Sequence, residues 1–492
     1  MVDLGLQALQ VLAAFLVFVV GLGLLGAVVV ALVDRSQTED AVRRNYPLIG
    51  RFRYLFSALG EFFRQYFFAM DREELPFNRA QRHWIERAAD GHGNTIAFGS
   101  TKPLNAPGAA IFAPVAFPAL EEEHQPEPRV VIGPECKHPF EPKSFFNISG
   151  MSYGALPKVA VEALSRGAAE AGCWLNTGEG GLSPYHLIGG CEVVFQIGTA
   201  KYGVRDQNGQ LSLDKLAEVA ANENVRMFEI KLAQGAKPGK GGILPAEKVT
   251  AEIAEIRGIK AGEASVSPNR HLEAPDTGGL LDLIESVRTA TGKPVGIKFV
   301  MGNPEFANSL MVEIAARQIA PDFITIDGGD GGTGAAPMPL MDNVGLTVRE
   351  ACPLLDDALR RHGLRDRIRI IASGKLVNPT DVAYALAAGA DFVVSARGFM
   401  FSLGCIQAMK CNKNKCPTGI TTHDPRFQRG LVPGDKADNV ANFHKGVVKE
   451  VDMIAHSCGA PHARALTREA VRIVQQTGRT EGLAMLYPPV AC

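Results

Sequence analysis

The longest apolar stretch of the chain lies near its N-terminus. From Val11 to Val33 there is no charged or strongly polar residue. At a rise of about 1.5 Å per residue, a helix of this length spans a bilayer core of roughly 30 Å. A cleaved signal peptide would need a basic segment before a shorter apolar run, whereas only Asp3 precedes this one. The pattern therefore predicts a retained, single-pass membrane anchor over residues 1–34.

Basic residues follow the anchor directly, namely Arg35, Arg43, Arg44, Arg51 and Arg53. By the positive-inside rule, this bias predicts that the rest of the chain lies in the cytoplasm. The stretch RNYPLIGRFRYLFSALGEFFRQYFF is typical of an amphipathic helix, which we interpret as a juxtamembrane packing helix in preference to one that contacts lipid. With the charged, proline-containing linker PALEEEHQPEPR, it makes up a helical region and linker over residues 35–130.

Beyond this linker the pattern changes to short apolar runs that end in Gly, Ser, Thr, Lys or Gln. Stretches rich in Ala, Leu and Glu, which predict helices, follow several of them, and strands that alternate with helices pair in parallel. Eight such units in about 250 residues favour a (β/α)8 TIM barrel over residues 131–435, with a doubly wound sheet as the alternative. The predicted strands are NISGMSYG, CWLNTGEGG, EVVFQIGTA, RMFEIKLAQG, PVGIKFVMG, FITIDGGDGG, IRIIASGK and DFVVSARG.

The last part of the chain, residues 436–492, predicts a C-terminal helical extension. Its two helical stretches are NVANFHKGVVKEVDMIAHSCG and HARALTREAVRIVQQTG. We expect them to pack against the barrel.

Composition narrows the class of protein. The net charge is −1, so there is no basic surplus for binding nucleic acid. Nine cysteines are too few and too scattered for a disulfide framework in 492 residues. Three of them cluster, and the other six, such as Cys173 and Cys352, are expected to be small buried residues in apolar surroundings.

Glycine-rich loops follow the last three predicted strands. Gly331 and Gly332 lie in GGDGGTGAAP after the sixth strand, while ASGKLVNPTD and SARGFM follow the seventh and eighth. The loops after strands seven and eight usually bind phosphate in TIM barrels, because glycine lets backbone N–H groups approach the anion. Two walls of a phosphate site are therefore predicted, one formed by Ser373, Gly374 and Lys375 and the other by Ala396, Arg397 and Gly398.

Two polar residues at strand ends suit a phosphate-bearing flavin. Lys298, in GIKFV at the end of strand five, would stabilise negative charge on a reduced flavin ring. Gln196, which ends strand three, would hydrogen-bond the pyrimidine edge. The alternative for Lys298 is a buried ion pair with a carboxylate such as Asp327.

The loop KLAQGAKPGKGG (231–242) follows strand four and carries Lys231 and Gln234. Its charge and backbone amides could bind a dicarboxylate. From these residues alone, an ordinary solvated basic loop is the simpler interpretation.

The strongest local motif is GCIQAMKCNKNKCPTG, in which Cys405, Cys411 and Cys416 are spaced C-x5-C-x4-C before a proline. Thiolates followed by proline are typical of iron–sulfur sites, and three without a fourth suit a 3Fe–4S cluster. Zinc normally takes four N or S ligands, and the nearest further ones are His423 and Cys458. Zinc and structural or redox thiols stay open as alternatives to the cluster.

Taken together, these residues resemble the flavin domain of glutamate synthase. MSYGAL (151–156), TGEGG (177–181), KLAQGAKPGKGG, GGTGAAP (331–337) and the cysteine run agree with that family in order and spacing over about 145–475. The resemblance implies a (β/α)8 barrel with FMN and a 3Fe–4S cluster. It also implies reductive amination of 2-oxoglutarate to glutamate through 2-iminoglutarate.

The same resemblance assigns roles to individual residues. Lys231 and Gln234 fall on 2-oxoglutarate contacts, and Glu179 lies where ammonia would reach the flavin. Ser152, within MSYGAL, falls on the cofactor site, together with Gln196, Lys298 and the two phosphate walls. The three cysteines match the cluster ligands.

Departures from the family pattern predict outside partners. The large glutamate synthases carry an N-terminal glutaminase domain with a Cys nucleophile and a C-terminal Gly-repeat β-helix, and this chain has neither pattern. No G-x-G-x-x-G follows a strand, so no NAD(P)H site is evident. We expect ammonia to be free or to come from a separate glutaminase. Electrons would come from a ferredoxin, a reductase subunit or the quinone pool. Alternative functions are an N-methylglutamate synthase-type flavoenzyme that uses an amine, and a membrane electron-transfer subunit that retains the cofactors.

Overall fold

The computed structural model describes residues 2–118, 120–488 and 490, and it divides into two compact units. The first unit covers Met1–Ala80 and the second Gln81–Cys492. The first unit is helical: α1 (Val2–Ser36), α2 (Ala41–Asn45), α3 (Ile49–Phe63) with a π-helical turn over Arg64–Phe68, and the start of α4 (Arg79–Ala89). Among the described residues, α1 is the one helix long and apolar enough to cross a membrane.

The second unit is built on a closed barrel of eight parallel strands. The described residues form β1 (Ala110–Phe112), β2 (Phe146–Ile148), β3 (Leu175–Asn176), β4 (Val193–Ile197), β5 (Val225–Lys231), β6 (Ile243–Leu244), β7 (Ser265–Val266), β8 (Val295–Phe299), β9 (Phe323–Asp327), β10 (Arg369–Ser373), β11 (Phe392–Ser395), β12 (Val471–Val474) and β13 (Thr480–Gly482). The barrel order is β2-β3-β4-β5-β8-β9-β10-β11, and β11 pairs with β2 to close it. This confirms the predicted (β/α)8 fold and excludes an open doubly wound sheet.

Helices connect the barrel strands and cover the outside of the barrel. In chain order they are α5 (Lys158–Ala171), α6 (Pro184–Leu187), α7 (Leu213–Ala220), α8 (Ala251–Arg257), α9 (Thr277–Thr291), α10 (Pro304–Arg317), α11 (Met338–Asn343), α12 (Val348–Arg361), α13 (Pro379–Ala387), α14 (Arg397–Ser402), α15 (Pro425–Gln428), α16 (Pro433–Ser457) and α17 (Leu483–Leu486). The strands are buried on both faces, which explains why they are nearly continuous apolar runs.

The interior of the barrel has an apolar floor and a polar mouth. Successive residues of a strand point to opposite faces, so every second residue of β5 points inward. At the floor, Met227 packs in one buried cluster with Trp174 and Phe323. Ile132 and Phe140 exchange backbone hydrogen bonds of 2.7 and 3.1 Å and join this cluster, which closes the lower end. The polar ends of the strands are therefore left at the upper end alone.

The C-terminal extension differs from the prediction. The stretch NVANFHKGVVKEVDMIAHSCG lies within or just after α16, as expected, but HARALTREAVRIVQQTG is not a helix. It forms two 3-10 turns and β12, which pairs antiparallel with β1 and β13. The prediction was wrong because β1 and β13 satisfy the hydrogen bonds of β12, and β1 comes from the region that we expected to be helix and linker.

Candidate functional site

A cleft opens at the C-terminal ends of the barrel strands. It is lined by residues from seven of the eight barrel strands or the loops that follow them. They are Ser149, Gly150, Gln196, Lys231, Gln234, Lys298, Asp327, Gly331, Gly332, Ser373, Gly374, Lys375, Leu376, Val377, Val394, Ser395, Ala396 and Arg397. Most of the predicted site residues are therefore brought together.

One side of the cleft is a glycine-lined cradle after β10 and β11. A Cβ on Gly374, where φ is 125°, would lie 2.9 Å from the Gly328 nitrogen, and one on Gly332 would lie 3.1 Å from Arg397 Nε. Only glycine fits position 374, and a side chain at position 332 would push against Arg397, so the adjoining backbone is left open to an anion. Arg397 donates to the Thr333 carbonyl, which holds its side chain beside the cradle.

Gly398 and Ser152 do not line this cleft. Gly398 packs against α16, where an added Cβ would lie 2.8 Å from the ring of Phe443, so its small size serves packing. Ser152 lies beside the 3-10 turn Gly178–Gly180, and its hydroxyl accepts a hydrogen bond from Arg257 Nη2 at 3.5 Å.

The centre of the cleft holds a buried ion pair. Lys298 Nζ lies 3.3 Å from Asp327 Oδ2, so the ion pair considered as an alternative from the sequence is present. Burial alone would lower the pKa of Lys298, but the carboxylates of Asp327 and Glu229 outweigh it and raise that pKa. Lys298 also lines the cleft, so it is a fixed cation at the barrel mouth as well as an ion-pair partner.

Glu229 organises the layer beneath this pair. Its Oε1 accepts hydrogen bonds from Gln196 Nε2 at 2.6 Å and Asn176 Nδ2 at 3.0 Å, and its Oε2 accepts one from Thr325 Oγ1 at 2.5 Å. Four strands are thus joined through one buried carboxylate. Because the Gln196 amide is held by Glu229, its orientation at the cleft is set before any ligand binds.

A second charged group lies where β3 and β5 end. Lys231 Nζ is 3.2 Å from Glu179 Oε1 and donates to Gln234 Oε1 at 2.7 Å. Burial would raise the pKa of Glu179, but Lys231 and Lys237 outweigh it and hold that pKa below its ordinary value. Glu179 is therefore a carboxylate at neutral pH, and Lys231 contacts both of the other residues predicted for catalysis, Glu179 and Gln234.

The cysteine motif follows α14 as an irregular loop. Gln407, Met409 and Asn414 all have positive φ, so the chain between Cys405 and Cys416 is wound tightly. The thiols are close enough to interact electrostatically: burial, and then the charges of Cys411 and Cys416, raise the pKa of Cys405. Among the described residues, no group of three His, Cys, Asp or Glu side chains has the geometry of a metal-ion site.

Cys416 differs from the other two cysteines in its hydrogen bonding. Burial would raise its pKa, but hydrogen bonds from Thr418, whose Oγ1 lies 3.4 Å from Cys416 Sγ, and from the Thr421 amide lower it. Its thiolate is thus stabilised. His423, a possible fourth ligand, donates from Nε2 to the Gly154 carbonyl at 2.8 Å.

The remaining cysteines meet the expectation in part. Cys173, Cys191 and Cys352 are buried, while Cys136 and Cys458 are partly exposed, and Cys492 lies outside the described residues. Cys136 is 3.6 Å from Asp322 Oδ2, a polar contact that a simple apolar filler would not make.

Sequence reasoning missed Glu229 and Asn176 as parts of the site, and it considered Asp327 only as a partner of Lys298. A signal was available for Glu229. In RMFEIKLAQG it lies two residues before Lys231, so both side chains point to the same face of the strand. A charged residue amid an apolar strand, in phase with a site lysine, indicates the barrel interior.

The fold and the cleft define an enzyme of the (β/α)8-barrel class with anion-binding groups at its mouth. Within that class, the conserved region of glutamate synthase matches residues 109–461. The chain belongs to the glutamate synthase family, whose members are oxidoreductases.

Curated relatives agree with this assignment. A glutamate synthase large subunit-like protein of Bacillus subtilis is 39% identical over 475 residues, which cover 88% of this chain and 90% of that protein. An archaeal-type glutamate synthase [NADPH] of Thermotoga maritima is 35% identical over 66% of this chain, but the match spans only 61% of that relative. A large subunit-like protein of Rhizobium meliloti is 31% identical over 70% of this chain and 80% of its own length.

Proposed function

We propose that the protein is a glutamate synthase-type oxidoreductase that reductively aminates 2-oxoglutarate to glutamate through 2-iminoglutarate. The observation that carries this proposal is the pairing of Lys231 with Lys298 as neighbours in register on β5 and β8, beside the glycine cradle. Lys231 then binds a substrate carboxylate and Lys298 faces the cofactor, within a single cleft.

The residues of the cleft fit FMN. The cradle at Ser373–Lys375 and Ala396–Arg397 offers backbone amides and two cations to a phosphate, and added Cβ atoms at Gly374 and Gly332 would crowd it. Lys298 would face negative charge on the reduced ring, and Gln196 would contact the pyrimidine edge. When bound, FMN would supply hydride transfer, and a 3Fe–4S cluster would supply single electrons.

The cysteine loop fits a cluster through its donor set. Cys405, Cys411 and Cys416 offer three thiols on a tightly wound loop, and Cys416 is the one whose thiolate is stabilised by Thr418 and Thr421. Three thiolates match a 3Fe–4S cluster better than zinc, which would need a fourth ligand. His423 is engaged with Gly154 and is a poor fourth ligand.

The residues predicted for catalysis have separate roles in binding the substrate and ammonia. Lys231 and Gln234 bind a carboxylate of 2-oxoglutarate through charge-assisted hydrogen bonds. Glu179, held as a carboxylate by Lys231 and Lys237, positions ammonia and accepts a proton from it as the imine forms. Lys237 is itself buried, with 5% of its surface exposed, and its pKa is lowered by burial although Glu179 opposes this.

The proposed setting is the cytoplasmic face of a membrane. We take residues 1–34 as a single-pass anchor, 35–130 as a juxtamembrane region and linker, 131–435 as the catalytic barrel and 436–492 as a C-terminal extension. A ferredoxin or reductase subunit would deliver electrons, and ammonia would be free or supplied by a separate glutaminase.

The proposed function is tested by spectroscopy followed by anaerobic turnover. The purified protein should show flavin absorption and contain about three iron atoms per flavin. With a chemical reductant it should then form glutamate from 2-oxoglutarate and ammonia. Turnover with methylamine alone would instead favour the N-methylglutamate type. Reoxidation of flavin through the cluster with no amination would leave the electron-transfer role, and absence of flavin and iron would contradict all three.

The cluster assignment has its own test. Cys411→Ser should lose iron while it retains FMN, as measured by iron analysis and by electron paramagnetic resonance of the oxidised protein. Cys458→Ser is the matched control and should keep its iron, because the proposed cluster needs only three thiolates. Loss of iron in the control, or retention in Cys411→Ser, would contradict the ligand set.

A further inference from the structure

The first unit presents an aromatic face that the described residues of that unit leave largely exposed. α3 and the π-helical turn place apolar side chains three and four positions apart, which puts them on one side of the helix. The face consists of Phe52, Leu55, Phe56, Leu59, Phe63, Tyr66 and Phe67. Phe56 is 64% exposed and Phe67 is 74% exposed, and the only buried residue of α3 is Gly50.

The rings of this face contact each other along the helix. Phe52 and Phe56 lie 6.2 Å apart, and Phe63 and Phe67 lie 5.7 Å apart, each pair one helical turn apart on the same helix. The juxtamembrane packing helix that we favoured from the sequence would bury these rings against other side chains. The structure does not bury them, and a contiguous apolar face of this size marks a surface that meets an apolar partner.

The segment is too charged to cross a bilayer itself. Ile49–Phe68 contains four charged residues, Arg51, Arg53, Glu61 and Arg64, and each charge at the bilayer centre costs at least about 2.5 kcal/mol. At about 100° per residue, Glu61 lies opposite the aromatic face, and Arg53 and Arg64 lie along its flank. This division suits a helix in the plane of the interface, with its rings in the acyl boundary and its charges in water.

The start of the segment is fixed to the end of the anchor helix. The Asp34 carboxylate is fully buried and accepts hydrogen bonds from Arg51 Nη2 at 2.7 Å and Arg51 Nε at 2.8 Å. It also accepts one from the Leu48 amide at 3.2 Å. A Cβ on Gly50 would lie 2.9 Å from the Val42 carbonyl oxygen, so α2 and α3 touch closely. The aromatic helix therefore begins at a rigid corner, where α1 reaches the surface of the membrane.

We propose that α3 and the π-helical turn lie in the cytoplasmic headgroup layer of a bilayer that contains anionic phospholipids. The aromatic face sinks to the acyl boundary, and Arg44 and Arg64 meet the headgroup phosphates. This rests on the membrane anchor in the proposed function. The chain then contacts the membrane through two segments, α1 and α3, and the junction between these helices is fixed instead of flexible.

The test uses the full chain in proteoliposomes with brominated phospholipids, which quench tryptophan at short range. Phe56→Trp on the aromatic face is compared with Ser57→Trp, one residue along on the polar face. Phe18→Trp reports the anchor itself. The signal of the unsubstituted protein, which has Trp84 and Trp174, is subtracted from each variant.

We expect the added emission of Phe56→Trp and Phe18→Trp to fall at least twofold in brominated lipid, and that of Ser57→Trp to change little. Quenching of Phe18→Trp without Phe56→Trp would leave the anchor intact and overturn this inference, as would equal quenching at positions 56 and 57. Absence of quenching at all three would contradict the anchor as well. If Phe56→Trp is quenched equally in neutral and anionic vesicles, the proposed contact between the arginines and anionic headgroups is wrong.

Discussion

The barrel mouth and the first unit depart from the usual distribution of polar and apolar residues in opposite directions. At the mouth, Lys298 and Asp327 are each 6% exposed and Glu229 only 3%. In the first unit, Phe67 and Phe68 are 74% and 75% exposed. Charges are buried in one region, and aromatic rings face outward in the other.

The difference lies in where each region finds its partners. Every buried charge at the mouth has a counter-charge or hydrogen bond from a neighbouring strand, so its desolvation is offset within the chain. The exposed rings have no such partner among the described residues. The mouth is therefore complete in its internal contacts, whereas the first unit leaves its aromatic rings facing outward.

The largest effect should come from removing one partner of the buried pair. Asp327→Ala leaves Lys298 buried without its counter-charge. It also removes the acceptor of the Gly235 amide, which in the native protein donates to Asp327 Oδ2 at 2.9 Å. We expect the free energy of unfolding of the barrel to fall by about 3–5 kcal/mol, as measured by denaturant titration followed through tryptophan fluorescence. Asp282→Ala, which breaks the exposed pair with Arg317, is the control and should change little. Equal losses of stability in the two variants would contradict the larger effect expected for the buried pair.

A smaller effect is expected at the substrate side of the mouth. Lys231→Ala removes a charge-assisted hydrogen bond worth about 1.5–3 kcal/mol, so the affinity for 2-oxoglutarate should fall about 10- to 100-fold with flavin absorption unchanged. Binding is measured by titration of the oxidised enzyme. Lys260→Ala, in the exposed loop after α8, should bind normally. An unchanged affinity in Lys231→Ala would remove this residue from the site.

The interaction of Glu179 with Lys231 and Lys237 should also make the free energy of unfolding depend on pH. Because the pKa of Glu179 is lower in the folded protein than in the unfolded chain, its contribution to stability is present above the unfolded value of about 4.3. It is lost as the pH falls through the lowered folded pKa. The difference in unfolding free energy between the native protein and Glu179→Gln should therefore be constant above about pH 5.5 and shrink below pH 4.3. A difference that grows on acidification would contradict the lowered pKa.

The smallest effect is expected in the first unit. Phe67→Ala removes a ring that contacts little beyond Phe63, so in detergent the thermal unfolding of the protein should hardly change. Phe323→Ala is the matched comparison, because the same side chain lies fully buried in the barrel floor and its loss should cost about 3–5 kcal/mol. A large effect of Phe67→Ala would mean that the aromatic face packs inside the protein.

Local pattern predicted much of the fold, and its failures have a physical cause. All eight barrel strands were predicted, since a strand buried on both faces is a short apolar run whatever its neighbours are. Val471–Val474 was taken for helix because its strand partner Ala110–Phe112 lies at the other end of the domain sequence. The cleft residues were predicted where they follow strands, whereas Glu229 was missed inside one.

The sequence by itself determined the long apolar helix, the alternation of strand and helix, and the cysteine spacing, because each follows from residues close together in the chain. Only the tertiary structure decided that the strands close into a barrel and that Lys298 pairs with Asp327. It also decided that Gly398 serves packing, and that the aromatic face of α3 is left uncovered. These outcomes depend on which distant residues meet, and burial and pairing exist only once the chain has folded.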